Sequence, residues 1–239
     1  MKTVSTLLLF MNCCFLVNAQ SFAIINDKDG FVNVRKEKSA KSPIVGTINN
    51  DAVFSFDDED AKGSQWIKVF KQDPQDKDGG GIEGYIYKNR LTPLSKFKSI
   101  NKVKLFKDSC VAINDSVTVV VKSNLFNPLK HKLIYSSVPG EQRVLIKIAG
   151  RHFWGTDGEM PKKVISLVKV VKNNVLIILP KNTFDDLYEP SFRTLKVYFG
   201  KNNVMYIEMD NSDGAGAYTI IWIIKDGKYF SRYIDNSMV

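Results

Sequence analysis

Asp29-Gly30-Phe31-Val32-Asn33-Val34-Arg35, followed by Ser42-Pro43-Ile44-Val45-Gly46-Thr47-Ile48, decides the fold of the first part of this chain. Residues 31–35 alternate so that Val32 and Val34 share one face and Asn33 and Arg35 the other, which is the two-residue period of a strand. Ile44–Ile48 and Ala52–Phe56 read as two further strands joined by the turn Asn49-Asn50-Asp51. Trp66-Ile67-Lys68-Val69-Phe70 and Gly84-Tyr85-Ile86-Tyr87 complete a five-strand set, enough for a small barrel. Between them Gln72–Gly81, with Asp73, Asp76, Asp78 and three glycines, reads as an exposed hairpin loop.

With Gly84-Tyr85-Ile86-Tyr87-Lys88-Asn89-Arg90-Leu91 included, these motifs resemble the bacterial SH3 (SH3b) domain in order and spacing over residues 20–95. The resemblance implies an SH3-like β-barrel working outside the cytoplasm. It further implies a groove between loops, lined by aromatic and polar side chains, that holds a cell-wall peptide or a protein partner. On that likeness Asn33, Arg35, Trp66, Tyr85 and Tyr87 are the ligand-binding candidates, with Trp66 expected to be at least half core. The function implied is that of a secreted or periplasmic, non-enzymatic binding protein; the alternative is a cell-wall hydrolase or an accessory subunit of one.

The amino terminus agrees with export. Lys2 supplies a positive start, Leu7–Val17 an apolar run, and Val17-Asn18-Ala19 the small residue before a cleavage point, so residues 1–19 read as a signal peptide. The run is shorter than the ~20 apolar residues that span a bilayer, so no stable membrane insertion is expected after cleavage. Cys13 and Cys14 lack the upstream small residue of an acylation site and leave with the signal. Cys110 then stands alone, which rules out an intramolecular disulfide and a Cys-rich zinc site.

The net charge of +9 is uneven. Residues 20–95 carry 11 Lys/Arg against 12 Asp/Glu, a net of −1, and residues 96–239 carry 22 against 13, a net of +9. The second half is thus the basic one, suited to anionic polymers or an acidic partner or simply to a soluble surface. Nucleic acid is not expected, because no basic run is interleaved with aromatics.

Residues 96–239 read as a second, all-β domain. Val117–Lys122 and Val144–Ile148 are strands, and three hairpins follow, turning at Lys172-Asn173-Asn174, at Gly200–Asn203 and at Lys225-Asp226-Gly227-Lys228. Ile220-Ile221-Trp222-Ile223-Ile224 is apolar on both faces and belongs in the middle of a sheet. About eight antiparallel strands over this length give a β-sandwich or an open barrel. Two Gly- and Asp-rich loops, Gly155–Pro161 and Asn211–Tyr218, are placed at one end, near Arg151 and His152. The second resembles segments of uncharacterised secreted bacterial proteins, a likeness that implies no activity. Its Asp213 is the site candidate of this half, against the plainer reading of two turns whose glycines supply positive φ.

Chemistry is not expected. Cys110 with His131 or His152 superficially matches an NlpC/P60-like cysteine peptidase, but no helical pattern follows the cysteine and the Asp-Cys-Ser order is absent. Two histidines without zinc-ligand spacing and the absence of Gly-x-Ser-x-Gly remove metallopeptidase and serine-hydrolase readings. Paired carboxylates for glycoside hydrolysis leave no spacing signature. Asp27-Lys28-Asp29-Gly30, Asp57–Asp60 and Asp76-Lys77-Asp78-Gly79 lack the remaining oxygens of a calcium loop and read as turns, so no metal or cofactor is expected.

Overall fold

The structure is a computed structural model and describes residues 21–57, 63–73, 80–100, 102–136 and 143–236. The signal segment, Cys13, Cys14, most of the Asp57–Asp60 run and the Asp76–Gly79 turn lie outside the described residues. Every regular element longer than a single 3-10 turn is a strand, and all ladders between named strands are antiparallel.

Seven strands form the first sheet: β1 (Ser21–Ile25), β2 (Phe31–Arg35), β3 (Ile44–Asn49), β4 (Val53–Phe56), β5 (Trp66–Gln72), β6 (Gly81–Tyr87) and β7 (Leu91–Pro93). Their order is β3-β2-β6-β5-β4-β1-β7. Alternation fills the interior with Val34, Ile48, Phe54, Ile67, Val69 and Ile86, one face of each strand. β2 crosses onto β6 where Gly84, at φ +159°, lies against the Arg35 carbonyl; a Cβ there would stand 2.4 Å from that oxygen. The five strands read from the sequence are present, and β1 and β7 are additional. β7 holds Pro93 at the sheet edge, the position a proline tolerates because it has no N–H to donate.

The rest has twelve strands, ten of them in a β-sandwich, more than the eight the sequence suggests. β8 (Lys98–Ser99), β9 (Val103–Phe106), β10 (Ser109–Ile113), β11 (Val117–Leu125), β12 (Leu133–Tyr135) and β13 (Leu145–Ile148) come first. β14 (Lys163–Lys172), β15 (Val175–Ile178), β16 (Lys196–Phe199), β17 (Val204–Asn211), β18 (Tyr218–Lys225) and β19 (Lys228–Asp235) follow. One sheet runs β15-β14-β11-β10-β9, the other β19-β18-β17-β16-β8, and β12-β13 form a separate ribbon. Val119, Val121, Val168 and Val170 of the first sheet meet Ile207, Met209, Ile220 and Trp222 of the second in one buried core. The Trp222 indole donates to the Thr183 carbonyl at 2.9 Å, which satisfies its only polar atom. The β18–β19 turn has Asp226 at φ 50° and Gly227 at φ 73°, the paired left-handed conformation of a type I′ hairpin.

β18 is apolar on both faces because both faces are covered. Ile220, Trp222 and Ile224 point into the sandwich, while Ile221 and Ile223 point the other way, into a cluster with Phe22, Val53 and Leu94 of the barrel. Tyr198, Tyr206 and Tyr233 complete that cluster, with the Phe22 and Tyr233 rings 6.0 Å apart edge to face. β1 serves both halves: Ala23 and Ile25 face the barrel interior, and Phe22 and Ile24 face the sandwich. The sequence boundary at residues 95–96 is therefore bridged by a shared apolar contact, beside which Lys225 Nζ meets Asp51 Oδ1 at 3.1 Å.

Candidate functional site

The register of β5 against β6 pairs Trp66 with Tyr87, Ile67 with Ile86 and Lys68 with Tyr85. Ile67 and Ile86 take the interior, so the neighbouring Trp66 and Tyr87 are turned outwards, their rings 5.3 Å apart at 80°. Trp66 is thus half-buried on the barrel's outside rather than part of its core. On β2 the same alternation puts Phe31, Asn33 and Arg35 outside. Together these residues line an open cleft of about 470 Å³ with Asp27, Asn89 and Arg90 on its rim.

The charged groups of this cleft are largely committed. Arg35 Nη1 donates to the Ser42 carbonyl at 2.9 Å, and Ser42 Oγ accepts from the Glu37 amide at 3.0 Å, so Arg35 clips the 36–43 loop over one end. Asp27 Oδ1 accepts from the Asp29 amide at 3.0 Å, and its Oδ2 is paired with Arg90. The Asp29 amide first, and then the Arg90 guanidinium, hold the Asp27 carboxyl below its ordinary range. Asn50 Nδ2 donates to the Asp27 carbonyl at 2.8 Å and fixes the turn from beneath. By contrast, the Asn33 and Asn89 side-chain amides and the Tyr87 hydroxyl make no hydrogen bond among the described residues. The cleft offers apolar ring faces, neutral donors and acceptors and the Asp29 carboxylate, with the Asp27–Arg90 ion pair already closed.

Four of the barrel candidates read from the sequence, Asn33, Arg35, Trp66 and Tyr87, meet at this cleft. Tyr85 shares their strand face but sits two residues along β6, where Lys38 Nζ lies 5.3 Å from its ring centre, away from the cleft lining. Sequence reading missed Phe31, Asn89 and Arg90, although the alternation that selected Asn33 and Arg35 also carries Phe31. Asp27, weighed there as a calcium ligand, is instead taken up by Arg90. Among the described residues no group of three or more His, Cys, Asp or Glu side chains is placed to hold a metal.

Residues 30–92 match the family model of the bacterial SH3 domain. That segment runs from the start of β2 into β7, so the SH3 match contains most of the cleft and leaves out β1. No curated protein and no solved structure matches the chain.

In the sandwich, the two Gly-rich loops do come together. Ser212 Oγ donates to the Gly155 carbonyl at 2.7 Å, and Gly216 lies so close to Thr156 that a Cβ would stand 2.8 Å from its Cα. Asn211 Oδ1 accepts from the Ser191 amide at 3.1 Å, and the Tyr218 hydroxyl donates to the Tyr188 carbonyl at 2.9 Å. Asp213 is exposed at the tip and caps nothing with its side chain. Arg151 nearby is paired with Asp185 at 2.8 Å, and the His152 ring stands 4.5 Å from that of Trp154.

The reactive side chains are held apart. Cys110 points into the sandwich core, wholly buried, and burial pushes its thiol from an ordinary 9.0 up to about 12. His131 is exposed and stacks at 5.0 Å on Phe126, which belongs to a different apolar cluster. The acidic pairs are also engaged. Glu208 and Asp210 share Lys196 at 2.7 and 3.6 Å, and Asp186 grips Arg232 through both carboxylate oxygens at 2.6 Å.

Proposed function

We propose that this chain is an exported binding protein whose SH3 barrel holds a cell-wall peptide or a protein segment in the Trp66–Tyr87 cleft, without transforming it. The observation that carries this reading is the composition of the cleft. Phe31, Trp66 and Tyr87 give flat apolar surface, and Asn33, Asn89 and the Tyr87 hydroxyl give unused hydrogen-bonding groups beside it. A peptide presents the same combination, alternating apolar side chains with amide donors and acceptors. The match of residues 30–92 to the bacterial SH3 domain supports a wall-directed ligand. The burial of Cys110 and the separate packing of His131 support binding over catalysis, since a thiol held protonated cannot serve as a nucleophile at neutral pH. Export rests on the Met1–Ala19 sequence pattern.

Binding of the purified protein to peptidoglycan sacculi, and to a synthetic wall stem peptide by calorimetry, tests the proposal. Trp66→Ala combined with Tyr87→Ala should weaken capture about tenfold or more, because aromatic anchors dominate such interfaces, while leaving the thermal midpoint within a few degrees. Undiminished capture by the double variant would move the site elsewhere. Release of soluble muropeptides by the unmodified protein would overturn the non-enzymatic part.

A further inference from the structure

The sandwich has two outer faces. Ile221 and Ile223 of the β16–β19 sheet are sealed by the barrel, whereas among the described residues no apolar cluster packs on the outer face of the β9–β15 sheet except at Val164, which meets the β12–β13 ribbon. Strand alternation decides what that face presents. Cys110, Val119, Val121, Val168, Val170 and Ile177 point into the core, so Val111, Ile113, Val120, Val171, Leu176 and Ile178 face the other way with Ser109 and Thr118; of these Leu176 and Ile178 are exposed, Val111, Ile113 and Val171 half-buried, and Val120 is buried among its neighbours. An outer sheet face in water ordinarily alternates to polar residues at these positions, and here it is mostly aliphatic. The charge on it is of one sign. None of the five strands contains Asp, Glu or Arg, and their outward positions include Lys104, Lys122 and Lys169.

One end of this face is extended by a projecting loop. β11 ends at Leu125, which pairs with Lys163, and the Ser123 amide donates to Asp108 in the β9–β10 turn at 3.0 Å, so residues 126–132 leave beside Phe106 and Lys122. The loop is built to hold an apolar side chain out. Asn127 Oδ1 accepts from the Leu129 amide at 3.1 Å, closing the turn, and Leu129 stands 95% exposed, with Leu125 79% and Phe106 58% exposed. Lys130 and Lys132 flank it. The carboxylates at this end are used internally: Asp108 pairs with Lys163 at 2.9 Å, and Glu189 accepts from the Lys162 and Lys163 amides.

We propose that this uncovered face and the 126–132 loop seat the protein on an anionic lipid surface. Two arguments choose lipid over the alternatives. A second copy of the same face would set lysines against lysines with no carboxylate to separate them. A protein partner is ordinarily met by Tyr, Trp and Arg, with lysine depleted, and the aligned outward positions here hold lysine and aliphatic side chains with no Tyr, Trp or Arg. A fluid anionic surface needs only what the face supplies, apolar groups at the high points and flexible cationic side chains around them.

Co-sedimentation of the full chain with vesicles of phosphatidylcholine, with and without phosphatidylglycerol, tests this. Binding should require phosphatidylglycerol and should fall about fivefold or more in each of the single variants Lys104→Glu, Lys122→Glu and Lys169→Glu. Lys228→Glu, an equal change of charge sign on the other sheet, should leave it unaltered. Leu129→Asp, at a position too exposed to affect folding, should lower it several-fold at physiological salt. Equal loss with Lys228→Glu would reduce the effect to net charge and overturn the assignment, as would full binding by Leu129→Asp. No binding to either vesicle would also overturn it and leave the face to an acidic protein.

Discussion

Leu94→Ala tests whether the barrel and the sandwich are one cooperative unit. Leu94 is fully buried in the 3-10 turn after β7 and lies in the cluster that joins Phe22 and Val53 to Tyr206, Ile221 and Tyr233. Truncating a buried leucine costs about 2–5 kcal/mol, from lost transfer energy and from the cavity left behind. With a urea dependence of about 2–3 kcal/mol per molar, a cost of about 3 kcal/mol lowers the unfolding midpoint by about 1–1.5 M. The distinguishing measurement is amide exchange, resolved on peptides from β5–β6 and from β11–β14. If the contact holds both halves together, protection drops in both by the same amount, about a hundredfold for 3 kcal/mol. The same reasoning bears on residues 20–95 alone. Exposing Phe22, Val53 and Leu94 forfeits about 1.5–3 kcal/mol each, which consumes most of the ~5–15 kcal/mol typical of a whole domain. The fragment should therefore be poorly stable in isolation. Protection lost in only one half on Leu94→Ala, or a 20–95 fragment as stable as the full chain, would refute the coupling.

Gly84→Ala should cost about 3 kcal/mol or more and release the β2–β6 crossing, because its Cβ would sit 2.4 Å from the Arg35 carbonyl; urea denaturation measures it, and a cost below 1 kcal/mol would show that the crossing yields. Native Cys110 should resist a thiol reagent and react only on unfolding, since its side chain is wholly inside the sandwich. Stability should be undiminished at pH 8 and decline as pH rises from about 9 to about 12. Cys110 ionises near 9.0 when exposed and about 12 when buried, and Tyr188, Tyr198 and Tyr206 are raised from 10.0 to about 12 by burial first, so the unfolded chain loses these protons sooner. A urea midpoint that is flat to pH 11 would contradict this. Asp213→Ala should change stability by less than about 1 kcal/mol and leave sacculus capture intact, because its carboxylate caps nothing; lost capture with intact folding would make the loop a recognition rim.

Alternation made most of the strands legible. Runs such as Phe31–Arg35 and Val117–Lys122 repeat with the period of a pleated sheet, and the turns between them carry residues chosen for backbone reasons, as at Asp226-Gly227. The strands that escaped notice are those whose signal is too short or lacks contrast. β7 is three residues with a proline, β8 is two, and β10, Ser-Cys-Val-Ala-Ile, presents small residues inward and Val and Ile outward. β1 was hidden differently. Ser-Phe-Ala-Ile-Ile is apolar at nearly every position and follows directly on an apolar leader, so no polar residue marks its two faces. The cause of that composition is tertiary: one face fills the barrel and the other fills the joint with the sandwich.

The same distinction separates the two candidate sites. At the barrel cleft, the outward positions Phe31, Asn33, Trp66 and Tyr87 follow from strand period alone, and register then sets Trp66 beside Tyr87. What period cannot supply is which outward residues are already occupied. Arg35 looks like a ligand group in sequence, yet its guanidinium reaches the Ser42 carbonyl and shapes the loop, and Asp27 is neutralised by Arg90 from 63 residues away. In the Asn211–Tyr218 loop the glycines that suggested a binding rim answer to packing: Gly216 is pressed on Thr156, and Ser212 and Asn211 are bonded to Gly155 and Ser191. Composition marks both segments as special, but only the distances show that one spends its polar groups internally while the other leaves the Asn33 and Asn89 side-chain amides and the Tyr87 hydroxyl without a hydrogen bond among the described residues.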